Sequence, residues 1–108
     1  MTNSNSAKQS EIPLRKVFTN PDVVKILYHK KRQSILKALI EKECTIYDLK
    51  IQLNLNPGEI SRHIKHLIKA GLVVKVKKET NDLGMTLKYY RATAHTFEIK
   101  LKWPPKSV

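Results

Sequence analysis

The segment Thr45–Val74, TIYDLKIQLNLNPGEISRHIKHLIKAGLVV, decides the reading of this chain. Thr45 is placed to cap free backbone N–H groups, and Ile46, Leu49 and Leu53 form an inward stripe, which predicts a short helix ending near Leu53. Asn54-Leu55-Asn56 is then a tight connection, because Asn tolerates left-handed backbone. Asn56-Pro57-Gly58-Glu59 starts the next helix: Asn caps, Pro loses nothing at the first helical position, and Glu stands three residues after the cap. Ile60, Ile64, Leu67 and Ile68 recur at i, i+4, i+7 and i+8, so this helix runs from Pro57 to Ala70 with one apolar face. Gly71 can take the left-handed position after its end.

Upstream, Asn20-Pro21-Asp22 is another Asn-Pro start and predicts a helix from Pro21 to about Tyr28. Ile35, Leu36, Leu39 and Ile40 mark one face of a further helix from about Lys30 to Lys42. Downstream the period changes to two. Leu72, Val74 and Val76 alternate with Val73, Lys75 and Lys77, giving a strand from Leu72 to Lys78. Asn81-Asp82-Leu83-Gly84 supplies turn chemistry, and Thr86 to Ala92 is the returning strand. Phe97, Ile99, Leu101 and Trp103 alternate again, predicting a last strand that Pro104-Pro105 stops. Residues 1–11, polar and aperiodic, are expected to be a disordered tail. Residues 12–103 then make a single domain, and 104–108 a flexible end.

The chain has 108 residues and a formal net charge of +12, from 21 Lys plus Arg against 9 Asp plus Glu. A polyanionic partner is the first expectation. The longest basic run is only Lys30-Lys31-Arg32, and the other cations are interleaved with apolar residues at helix and strand spacing. That layout fits the outside of a folded domain better than a membrane-surface helix or a charged arm. No apolar run is long enough to span a bilayer, and the N-terminus lacks the apolar middle of a signal peptide, so a cytoplasmic, nucleoid-associated protein is expected. Cys44 is the only cysteine, which excludes an internal disulfide. No residues form a catalytic set, and neither a cofactor nor a small-molecule substrate is evident.

Two short helices joined by a tight turn, the second capped and basic and followed by a hairpin, follow the order of a winged helix-turn-helix. The expected class is therefore α+β, mainly helical, with a β-hairpin wing and a short C-terminal strand. Thr45–Val74 also resembles the DNA-binding segment of ArsR-like transcription regulators. Supporting matches are Arg32-Gln33-Ser34-Ile35-Leu36, Ser61-Arg62-His63-Ile64, Ala70-Gly71-Leu72-Val73 and Tyr90-Arg91-Ala92-Thr93-Ala94, and the resemblance covers roughly Asp22 to Ile99. It implies a regulator, in the first instance a repressor, that holds double-stranded DNA as a homodimer. Departures are Pro57 and Gly58, where members often carry polar side chains, Lys50 for a common alanine and Asn54 for a common glycine.

A helix fits the major groove, with side chains of its first half at base edges and cations at phosphates. With the apolar stripe inward, Ser61, Arg62 and Lys65 point out and Gly58 lies near the entry. Asn56, Gly58, Ser61, Arg62, His63 and Lys65 are thus the expected DNA contacts of this helix. Lys75, Lys77, Lys78 and Lys88 are those of the wing, whose tip has no arginine, so backbone contact is favoured there over minor-groove reading. For any one of these lysines a solvated hairpin is an equal reading. Some members sense metals through two cysteines at the start of the third helix, where this chain keeps only Cys44, or through a long C-terminal helix it lacks. His63 and His66 are close enough to share a metal, but phosphate or water contacts are the favoured reading, and no metal site is expected.

One winged helix reads only a few base pairs, so a dimer with recognition helices about 34 Å apart is expected. Its interface is expected from Phe18, Val23, Val24 and Leu27 at one end of the domain and Phe97, Ile99, Leu101 and Trp103 at the other. The alternative has Phe97 and Ile99 completing the protomer's own core. Competing functions are a winged-helix module for RNA or a protein partner, and an architectural DNA-coating protein.

Overall fold

A computed structural model describes residues 11–104. The elements, in order, are β1 (Arg15–Phe18), α1 (Asp22–Leu27), α2 (Lys30–Glu41), α3 (Ile46–Leu53), α4 (Pro57–Lys69), β2 (Val73–Thr80), β3 (Thr86–Ala92) and β4 (Thr96–Ile99). Most of the expected tail, residues 1–10, and the end from 105 lie outside the described residues.

The helix boundaries follow the capping chemistry. Asn20 Oδ1 accepts from Asp22 N at 2.9 Å. Thr45 and Asp48 form a reciprocal capping box, each side chain bonded to the other's backbone N–H at 3.0 Å. Asn56 Oδ1 accepts from the N–H groups of Gly58 at 2.8 Å and Glu59 at 3.3 Å. Between α3 and α4, Asn54 adopts left-handed backbone at φ 55°, and Gly71 ends α4 at φ 85°. A side chain at Gly71 would strain the backbone, and the turn also presents the Gly71 carbonyl to Lys16 Nζ and Thr93 Oγ1, both at 2.8 Å.

Ile35, Leu36 and Leu39 of α2, Leu49 of α3 and Ile60, Ile64 and Leu67 of α4 meet Leu72, Val73, Tyr90 and Ala92 in one buried core. Burying each large side chain contributes roughly 1.5–3 kcal/mol, and this shared core fixes the angle at which α4 stands out of the domain. Ile68, expected in that core, is instead exposed on the flank of α4. The inward stripe is narrower than the sequence spacing suggests, because His63 occupies part of it.

The wing is an antiparallel pair in which Val73 faces Ala92 and Thr80 faces Thr86, with a register irregularity between Lys75 and Lys77. Val76 is the unpaired extra residue, a β-bulge that shifts the alternation of side chains. Val74, which precedes the bulge, and Val76 are both exposed, so the strand does not bury the apolar set its period implies.

The ends of the domain differ most from expectation. β1 had no signal of its own in the sequence, yet it pairs in parallel with β4, Arg15 against Thr96 through Phe18 against Ile99. The last strand stops at Ile99, four residues earlier than expected, and Leu101 and Trp103 lie beyond it, Trp103 at 88% exposure. Val23, assigned to a dimer interface, is buried in the protomer's own core, with Phe18, Leu27, Phe97 and Ile99 half-buried against it. The rings of Phe18 and Phe97 lie 6.0 Å apart. The physical reason is the β1–β4 ladder, which turns these side chains inward and leaves Val24, Leu101 and Trp103 as the exposed apolar residues of the eight.

Candidate nucleic-acid interface

Helix α4 buries Ile60, His63 and Ile64 and exposes the opposite face of its N-terminal half. Asn56, Gly58, Arg62 and Lys65 are exposed and Ser61 is half-exposed. Arg62 and Lys65 form no ion pair among the described residues, so their cationic groups are available to an outside partner. The first turn adds the positive end of the helix dipole, its N–H groups being taken by Asn56. Gly58 suits the entry, since an added Cβ would lie 3.2 Å from the Asn56 Oδ1 that caps the helix.

His63, expected among the groove contacts, is turned inward at 5% exposure. Its Nδ1 accepts from Arg32 Nε at 3.2 Å, and its ring lies 4.6 Å from that of His29. Its Nε2 is buried without a hydrogen-bond partner, 4.0 Å from Glu59 Oε2. Glu59 does not complete a capping box; its carboxylate takes Lys31 Nζ at 2.6 Å. The first turns of α2 and α4 are thereby latched together, which positions Arg62 and Lys65 from below. His66 is exposed while His63 is buried, so the two histidines point different ways. No sequence signal distinguished His63 from its polar neighbours, except that its position falls within the inward arc set by Ile60, Ile64 and Leu67.

This latch requires a neutral imidazole, because Nδ1 must keep its lone pair for Arg32. Burial, and then the positive charges of His29 and Arg32, hold the His63 pKa below its ordinary value. The unfolded chain therefore binds more protons than the folded one as pH falls through about 6.5, and the stability that neutral His63 contributes is lost in that window. Thermal melts at about pH 7.5 and about pH 5.5 should show a drop in Tm on acidification that His63→Gln reduces. An equal drop in both proteins would show that His63 is not the group responsible.

The wing lysines separate into two kinds. Lys77, expected at DNA, is bound within the chain: its Nζ lies 3.4 Å from Glu43 Oε2 and 3.5 Å from Glu79 Oε2, and over the Tyr89 ring at 4.6 Å. The bulge places it there by turning it toward the start of α3. Lys75, Lys78 and Lys88 are exposed and form no ion pair among the described residues. Cys44 is buried, bridged to Tyr90 of the wing, and burial raises its thiol pKa, so it packs as a small apolar group. Arg91 is also buried and donates to the Ile40 carbonyl at 3.1 Å, at the negative end of α2. No helix of the described residues is long and apolar enough to cross a membrane.

This arrangement is similar to known structures. The transcriptional regulator HlyU from Vibrio vulnificus CMCP6 superposes with a TM-score of 0.57 at 24% identity, over 84% of this chain and 77% of that one. The transcriptional repressor BigR from Xylella fastidiosa gives 0.56 at 22% identity, over 67% of this chain and 65% of that one. A transcriptional regulator homologue from Pyrococcus horikoshii OT3 gives 0.56 at 26% identity, over 64% and 67%. No curated protein sequence matches the chain. Residues 29–75, which run from the cap of α2 into the wing, match the model of the bacterial regulatory protein, arsR family. Residues 29–75 are thus similar to the arsR family of bacterial regulatory proteins, and the fold is that of a winged helix-turn-helix.

Proposed function

We propose that this protein regulates transcription as a sequence-selective DNA-binding repressor, acting as a homodimer. The observation that carries the reading is the pair Arg62 and Lys65, exposed and without ion pairs among the described residues, beside half-exposed Ser61 on a helix that is capped, latched and oriented by the core beneath it. Arg62 presents a planar fork suited to guanine in the major groove; Lys65 suits a phosphate. Lys75, Lys78 and Lys88 extend the cationic surface along the wing. With Pro57 and Gly58 offering no polar side chains, few groups read bases, and DNA shape supplies part of the selectivity.

The dimer in this reading is built from what the fold leaves uncovered at the chain ends: Val24 of α1, Leu101 and Trp103. A two-fold pair sets two recognition helices about 34 Å apart, one per successive major groove. The runner-up, a module for RNA or a protein partner, lacks a comparable supporting surface.

A footprint on the DNA just upstream of the protein's own gene, with random duplex as competitor, tests the reading. Two protected half-sites about one helical turn apart are expected. Arg62→Ala should weaken specific binding by about 1–3 kcal/mol and relax base preference at one position in each half-site. Unchanged affinity together with unchanged preference would show that α4 does not read DNA.

A further inference from the structure

The tip of the wing is tied by hydrogen bonds and carries two exposed apolar side chains, Leu83 and Met85. Asn81 Oδ1 accepts from the N–H groups of Leu83 and Met85, both at 2.9 Å. Asn81 N donates to the Met85 carbonyl at 2.9 Å, and Gly84 N to the Asn81 carbonyl at 3.0 Å. Gly84 takes φ 81°, with open space around it. This network holds Leu83 and Met85 outward at 83% and 55% exposure, in a turn where polar residues are the usual choice. Just behind the tip, Lys78 stands directly opposite Lys88. Like charges in a cross-strand pair destabilise a hairpin unless an anion lies between them or alongside.

We propose that the wing tip is an apolar wedge: Leu83, supported by Met85, enters the DNA minor groove and partly unstacks one base step, while Lys78 and Lys88 hold the flanking phosphates. The inference rests on the DNA-binding reading above and assigns the wing a role beyond backbone contact. Strand geometry fits it. Two residue pairs lie between the lysines and the turn, so their backbone stands about 10 Å behind it, and their long side chains can lean forward to the walls of a minor groove about 7.5 Å deep. With Leu83 at the groove floor, the lysine side chains reach the phosphate walls by extending toward the tip. A tip without arginine has no guanidinium to insert, and apolar side chains act there by prying base pairs apart.

Asp82 narrows the choice of step. Its exposed carboxylate is repelled by the strongly negative, narrow groove of A-tracts and can accept from the guanine amino group, the only donor the minor groove offers. The wedge is therefore matched to a wide-grooved, easily unstacked pyrimidine–purine step containing a G·C pair, such as CA/TG.

The test uses the full chain and the duplex protected in the footprint, with 2-aminopurine placed in turn at each step flanking the recognition-helix contacts. Wild-type protein should raise fluorescence at one pyrimidine–purine step per half-site. The double variant Leu83→Ala, Met85→Ala should abolish that rise and bind about tenfold or more weakly. Its melting temperature and its slope of log affinity against log salt should stay unchanged, since neither side chain is in the core and no phosphate contact is removed. Leu83→Ile should retain both the rise and the affinity. The wedge is overturned if the double variant binds and unstacks like wild type, or if its loss of affinity comes with a smaller salt slope. It is also overturned if the variant keeps DNA binding while losing adhesion to phosphatidylserine vesicles. Failure of wild type to protect any duplex would instead overturn the DNA-binding reading itself.

Discussion

Raising salt from about 50 to about 200 mM should weaken duplex binding by about 10³-fold or more. The chain carries a net charge of +12, and its recognition helix and wing leave Arg62, Lys65, Lys75, Lys78 and Lys88 without ion pairs among the described residues. A dimer doubles that set, and each phosphate it neutralises releases condensed counterions. Individual lysines then report on the geometry. Lys78→Ala, which removes one lysine from each protomer, should reduce the slope of log affinity against log salt by about two. Lys77→Ala should leave it nearly unchanged, because Glu43 and Glu79 already hold that ammonium. Fluorescence anisotropy over a salt series measures both. A flat response in wild type would favour a protein partner, and equal effects of the two variants would contradict the placement of Lys77.

Leu67→Ala and Ile68→Ala, one position apart, should differ in stability by several kcal/mol. Leu67 is fully buried where α4 meets the core, so its truncation leaves a cavity and costs about 2–5 kcal/mol. Small domains have about 5–15 kcal/mol in total, so this variant should be close to unfolding. Ile68 lies on the exposed flank, and its truncation should cost about 1 kcal/mol or less. Urea unfolding followed by circular dichroism gives both values. Similar losses for the two would show that the face of α4 has been misassigned, and with it the outward direction of Arg62.

The helix order, the caps and the turn between α3 and α4 were legible because their chemistry is local. Thr45, Asn54, Asn56 and Gly71 each act within a few residues of themselves, and the apolar period of α4 needs no partner to be read. What was not legible depends on distant contacts. Four residues from Arg15 to Phe18 are too few to show a period, and they become a strand only because β4 lies beside them. That pairing also explains why Val23, Phe18, Phe97 and Ile99 serve the protomer's core when their sequence pattern suggested an interface. The bulge at Val76 redirects Lys77, and nothing in an alternating lysine-valine run marks where a register will slip. His63 illustrates the same limit: a polar type at an inward position is recognisable only when its partner, Arg32 on another helix, is known. Of the proposed groove residues, Ser61, Arg62 and Lys65 point as the helical period implied.

The β1–β4 ladder joins segments from opposite ends of the described chain, and this sets an order of assembly. Closing so long a loop carries a large entropy cost that only two four-residue strands are there to offset. The helices and the hairpin, whose contacts are near in sequence, can form first and bring Phe18 and Phe97 within reach. A chain emerging from the ribosome completes α4 before β4 exists, so the DNA-facing half is shaped before the ends are sealed. On this ground the ladder is expected to close last and open first, so that amide exchange should be fastest in β1 and β4.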